Sequence, residues 1–91
     1  MQTLTIAIQA AEGLHARPAH LFCSTTAKYK SDLKIRNVTT NSKVVNAKSI
    51  LLVLTLGVES GHEVEINATG EDEVEAIQAL RDLISQDFPG N

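Results

Sequence analysis

Apolar residues recur along this chain in two periods, and the period switches at glycine, proline and short polar breaks. Over residues 3–9, Leu4, Ile6 and Ile8 alternate with Thr3, Thr5 and Gln9, which predicts a strand with one face buried. The same alternation predicts strands over residues 32–38, where Leu33 and Ile35 share a face, over the short stretch 43–47, and over residues 63–68, where Val64, Ile66 and Ala68 alternate with Glu63, Glu65 and Asn67. The polar stretch 39–42 with Asn41 is a turn. Helical spacing fills the gaps. Ala19, Phe22, Cys23, Thr26 and Ala27 form one apolar stripe on a helix over residues 16–28, with Pro18 in the first turn, where its missing N–H costs nothing. Residues 50–56 make a short apolar helix, with Ser49 placed to cap it and Gly57 to end it in a left-handed conformation. Val74, Ile77, Leu80, Leu83 and Ile84 are the buried stripe of a last helix. Glu71, Asp72 and Glu73 put negative charge at its start, where the macrodipole favours it, and Pro89-Gly90 closes the chain.

The element order is therefore strand, helix, strand, strand, helix, strand, helix. Strands that alternate on one face and helices with one stripe each are satisfied by an α+β fold, a four-stranded antiparallel sheet covered on one face by three helices. No linker, repeat or low-complexity segment interrupts residues 1–91, which reads as a single domain.

Composition narrows the function. Hydrophobic residues make up 43% of the chain, but the aromatics are only Phe22, Tyr29 and Phe88, so the core is aliphatic. A net charge of −3 and a pI near 5.5 exclude nucleic acid as the main ligand, since the pair Lys28 and Lys30 is too short to form a phosphate-binding patch. Cys23 is the single cysteine, so no internal disulfide can form, which suits a reducing cytoplasm. Residues 1–11 lack a signal-peptide pattern and the run 50–54 is far too short to span a bilayer, so a soluble cytoplasmic protein with no membrane insertion is expected. His20 and Cys23 are three residues apart on a helix, but two donors are fewer than a closed zinc site requires, and no metal is expected. His62 is expected as a surface residue at a strand start.

The segment Gly13-Leu14-His15-Ala16-Arg17-Pro18-Ala19 carries the candidate chemistry. Gly13 permits a tight turn, His15 falls between that turn and a helix start, and Arg17 follows within the first helical turn. A helix start offers unpaired N–H groups and a partial positive charge, and a neutral imidazole placed there has a lone pair for nucleophilic attack. A phosphoryl group received there would lie against those N–H groups, with the planar fork of Arg17 as a second partner.

That segment resembles the active-site signature of the HPr family, the histidine phosphocarriers of the phosphoenolpyruvate-dependent sugar phosphotransferase system. Val45-Asn46-Ala47-Lys48-Ser49-Ile50, then Leu54-Thr55-Leu56-Gly57, and Ala68-Thr69-Gly70-Glu71-Asp72-Glu73 extend the resemblance over nearly the whole chain. It implies an open-faced β-sandwich, phosphorylation of His15 on Nδ1 by enzyme I, and transfer to sugar-specific enzyme IIA domains. Arg17 would help hold the phosphoryl group, and the carrier would need no cofactor. The first helix and the short helix would form the partner surface, with Ala16, His20, Leu51, Leu52, Leu54 and Thr55 on it. Some relatives carry polar or charged residues where Leu52 and Leu54 stand. Ser49 matches a serine that HPr kinase phosphorylates in some members, so a regulatory module acting through Ser49 and protein contacts is the alternative. A free-standing enzyme such as a hydrolase fits less well, since it would need a substrate pocket and an activating base around its nucleophile. The turn over residues 38–42 is a few residues longer than is usual in the family.

Overall fold

A computed structural model describes residues 1–89; Gly90 of the expected Pro89-Gly90 closure lies outside the described residues. The elements are β1 (Gln2–Ala7), α1 (Ala16–Thr26), β2 (Asp32–Asn37), β3 (Val45–Asn46), α2 (Ile50–Leu54), β4 (Glu63–Thr69) and α3 (Glu73–Ser85). The strands form one antiparallel sheet in the order β1-β4-β2-β3. α3 packs on β1 and β4, and α1 packs between α3 and α2. This is the α+β arrangement that the alternating pattern requires.

The side chains that alternate inward are those the sequence assigns. Leu4, Leu33, Ile35, Val64, Ile66 and Ala68 from the sheet meet Phe22, Val53, Leu80 and Ile84 from the helices in a single cluster. On the opposite face polar residues pair across strands. Thr3 Oγ1 donates to Asn67 Oδ1 at 2.8 Å, and Arg36 Nε donates to the Glu65 carboxylate at 3.1 Å, in both cases between directly opposed residues.

β1 ends at Ala7 and β2 at Asn37, short of the expected residues 9 and 38. Four further departures each have a local reason. Strand β3 is two residues long rather than spanning 43–47. Asn37 gives its N–H to Ser42 Oγ and its carbonyl to the Ser42 N–H, which closes the turn before the ladder begins at Ile35–Val45. Helix α1 stops at Thr26, whose hydroxyl bonds the carbonyls of Cys23 and Ala47, and Ala27 is an exposed C-cap rather than part of the stripe. Helix α2 stops at Leu54, with Thr55 as its C-cap, while Gly57 takes the anticipated positive φ of 59°. Val74 is 59% exposed, because it lies about 120° round the helix from Leu80 at roughly 100° per residue; Ala76 takes the inward place instead.

The start of α3 is braced to the start of β2. The Asp72 carboxylate accepts from Lys30 N at 2.8 Å, from Ser31 N at 2.9 Å and from the Ser31 hydroxyl. Gly70 makes the approach feasible, since a Cβ there would lie 2.6 Å from Ser31 Oγ. The Ser31 hydroxyl, then the Lys30 N–H, hold the Asp72 carboxyl below its usual range; the Gly70 N–H, then the N-terminal ammonium, do the same for Glu73. Among the described residues no helix is long and apolar enough to cross a membrane.

Carboxyls with lowered folded-state values bind fewer protons than in the unfolded chain, so their stabilisation is present above the ordinary carboxylate range and lost as pH falls through the folded values. Thermal midpoints measured on descending pH should therefore fall below about pH 4, and Asp72→Asn should flatten that acid limb while lowering the midpoint at neutral pH. An unchanged acid limb in the variant would contradict the brace.

Candidate functional site

The candidate site is built by backbone contacts before any reactive side chain enters it. After β1 the chain turns, with the Gly13 N–H bonded to the Ala10 carbonyl at 2.9 Å. Gly13, at φ 67°, presses onto the backbone of residues 58–59 so closely that a Cβ would sit 2.1 Å from the Val58 carbonyl oxygen. Leu14 is fully buried, and its N–H donates to that same carbonyl at 2.9 Å. The next residue, His15, is extended (φ −127°, ψ 167°), half-buried and at the N-cap of α1. Its side chain makes no capping bond.

Ala16 follows with φ 50°, in the left-handed region. A non-glycine residue there costs about 1–2 kcal/mol, so its neighbours must enforce it. They do so from both sides: Gly13 and Leu14 are fixed on residues 58–59, and Pro18 and Ala19 are buried in the first turn of α1. The N–H groups of Ala16 and Arg17 donate to no carbonyl among the described residues and stand at the positive end of the helix. Arg17 is exposed, and its Nη1 donates to the Phe88 carbonyl at 3.4 Å, beyond the end of α3. Phe88 is buried in the core and, like Asp87, left-handed, so this carbonyl is firmly placed.

The expected surface residues take different positions. His20 is exposed on α1 one turn past Ala16, and the packed pair α1 and α2 brings that helix beside the apolar one. On α2 and just after it, Leu51 is 74% exposed, Ile50, Leu52, Leu54 and Thr55 are also exposed, and Val53 and Leu56 are buried. Ser49 caps α2 as its position suggests, its Oγ accepting from Leu52 N at 3.3 Å. Cys23 points inward to the Ala47 carbonyl at 3.7 Å and burial pushes its thiol up, whereas His20 faces out, so the two do not meet as ligands. Among the described residues no three His, Cys, Asp or Glu side chains converge.

Two features escape the pattern reading. The left-handed Ala16 carries no composition signal, since alanine is an unusual choice there. His62, expected as a surface residue, is half-buried, with Nδ1 3.1 Å from both the Asn37 Nδ2 and the Glu59 backbone N.

Residues 2–86 match the family model for the PTS HPr component phosphorylation site. The chain belongs to the HPr family. HPr proteins are phosphocarriers of the phosphotransferase system, and the arrangement of strands and helices here is theirs. The chain is 45% identical to HPr-C-His from Thermoanaerobacter tengcongensis, covering 100% of this chain and 99% of that one with a TM-score of 0.93. It is 31% identical to a phosphocarrier protein HPr from Bacillus anthracis, covering 91% and 95% with a TM-score of 0.84. It is also 38% identical to a multiphosphoryl transfer protein of Vibrio cholerae over 86% of this chain, and 37% identical to one from Haemophilus influenzae over 96%. The chain spans about a fifth of the length of these two curated relatives, 20% and 17% respectively.

The HPr turn yields a paired expectation. Gly13→Ala should destabilise the protein by at least about 2 kcal/mol, through a backbone clash that no rotamer relieves. Ala16→Gly should stabilise it by about 1 kcal/mol by relieving the left-handed residue. Chemical denaturation of both variants checks the pair, and a neutral Gly13→Ala would contradict the packing. Separately, Ser49→Ala should cost about 1 kcal/mol through loss of the α2 cap.

Proposed function

We infer that this chain is a covalent phosphoryl carrier that accepts a phosphoryl group on His15 from phosphorylated enzyme I and passes it to enzyme IIA domains in sugar uptake. The observation that carries the reading is the placing of His15 at an N-cap with no capping bond of its own, against the N–H groups of Ala16 and Arg17, which have no partner among the described residues. In acceptance, the Nδ1 lone pair attacks the donor phosphorus. The N–P bond forms as the donor's bond to phosphorus breaks, and the same exchange runs in reverse on the next partner. The product dianion lies at the helix start, where N–H dipoles favour it. Arg17 leaves the Phe88 carbonyl, a weak 3.4 Å contact, for a charge-assisted bond to the phosphoryl oxygens. A half-buried nucleophile at the head of a helix suits a carrier, since two partners must reach it in turn. Ala16 and His20 on α1, Leu51, Leu52 and Leu54 on α2 and Thr55 at its C-cap form the surface that receives them, an apolar patch of the kind that marks protein contacts. Ser49 is accounted for by its cap to Leu52 N, so the carrier reading does not require its modification.

Incubation with enzyme I and phosphoenolpyruvate should give an acid-labile, base-stable phosphate on the wild type and none on His15→Ala. Arg17→Ala should slow acceptance roughly tenfold to a hundredfold, the size of one charged hydrogen bond, and Arg17→Lys should recover only part of that. Absence of label on the wild type with a cognate enzyme I would rule out the carrier role.

A further inference from the structure

The ring of His62 lies at the end of a hydrogen-bond chain that begins one residue before His15. The Val58 carbonyl and the Glu59 N–H belong to one peptide group. Its oxygen accepts from Leu14 N at 2.9 Å, and its N–H donates to His62 Nδ1 at 3.1 Å. The peptide is trans, so its two polar ends point in opposite directions, one under the His15 turn and one at the imidazole.

The protonation of this ring follows from its neighbours. Asn37 is fully buried, and its amide orientation is fixed by partners that can serve in one way only: Leu56 O can only accept, at 3.3 Å from Nδ2, and Thr40 N can only donate, at 3.3 Å from Oδ1. Asn37 Nδ2 is therefore a donor toward His62 Nδ1 at 3.1 Å, and Glu59 N is a second donor at the same atom. Nδ1 must be the bare acceptor nitrogen, and the neutral ring keeps its proton on Nε2. Asn37 in turn stands where the long turn after β2 closes, through its bonds to Ser42. That turn thus reaches the candidate site through two side chains and one peptide.

We propose that His62, held in its Nε2–H tautomer by Asn37, is a positioning residue for the His15 turn. It anchors and polarises the Val58–Glu59 peptide that receives the Leu14 N–H. Hydrogen bonds in such a chain reinforce one another, so an acceptor at Nδ1 strengthens the grip of the Val58 carbonyl on Leu14. The proposal rests on the carrier reading only for its effect on phosphoryl transfer; the hydrogen-bond chain itself can be tested without it.

Nitrogen-15 spectra of the His62 ring, recorded well above the ordinary imidazole range, should show an unprotonated Nδ1 and a protonated Nε2; a proton on Nδ1 would overturn the proposal. His62→Leu should speed exchange of the Leu14 amide on the order of tenfold. It should lower kcat for acceptance from enzyme I by a similar factor and leave KM unchanged, because the α1–α2 surface is intact. His62→Asn puts its side-chain oxygen close to the place of Nδ1 and should restore both. Where His62→Leu does not fold, His62→Gln, whose amide lies farther out at the place of Nε2, supplies the same contrast. Equal Leu14 exchange in His62→Asn and in the variants without an acceptor would overturn the proposal. A wild type that takes no phosphate at all would end the carrier reading, while the spectra and the amide exchange would still decide the hydrogen-bond chain.

Discussion

The contact on which the rest of the site depends is the seating of Gly13 and Leu14 on the peptide between Val58 and Glu59. It is a contact of main chain on main chain. The Val58 carbonyl takes the Leu14 N–H, and the approach at Gly13 is too close for any side chain. Once Leu14 is buried there, the direction in which the chain leaves is set, and His15 emerges extended at the head of α1. The left-handed Ala16 is then the residue that absorbs the mismatch between a fixed turn and a fixed helix, since Pro18 and Ala19 are already committed to the core. Strain, the placing of the imidazole at the helix start and the N–H groups that have no partner among the described residues are three results of one docking event.

The far side of the sheet contributes little to this arrangement and much to its foundation. β4 is paired on both edges, with β1 and β2, and carries Val64, Ile66 and Ala68 into the core. The loop of residues 57–62 that receives Gly13 runs directly into β4, and its return is locked to the end of β1 through Ile8 N to His62 O and Gly61 N to Ile8 O. The platform under the site is thus an extension of the most fully paired strand in the molecule. Local opening of such a segment is expected to cost more than opening of a free loop.

Much of this was legible in the sequence because it rests on short-range rules. The alternation of Leu33 with Ile35 and of Val64 with Ile66 and Ala68 fixes which face of each strand is buried, and the cap at Ser49 marks the start of the short helix. Gly13, His15 and Arg17 are legible as a group because each has a conformational or chemical reason to stand at a helix start. What escaped depends on contacts distant in sequence. Val74 follows helical spacing yet faces water, since the sheet lies under Ala76 and Leu80. The length of β3 is decided by what Asn37 does with Ser42, and the surroundings of His62 by the same asparagine, 25 residues away. Periodicity carries no information on such polar partnerships.

The division between main chain and side chain at this surface has a consequence for how the protein can change over generations. The cradle around His15 is assembled from peptide groups, which most substitutions away from the Gly13 turn and from the His62 and Asn37 side chains that brace it leave in place. The flanking patch, by contrast, consists of the outward side chains of α2, above all Leu51, which lie outside the buried core cluster. Mutation can therefore redraw the patch residue by residue while the reactive turn is inherited intact. Lineages that share one chemistry are free to diverge in whom they meet.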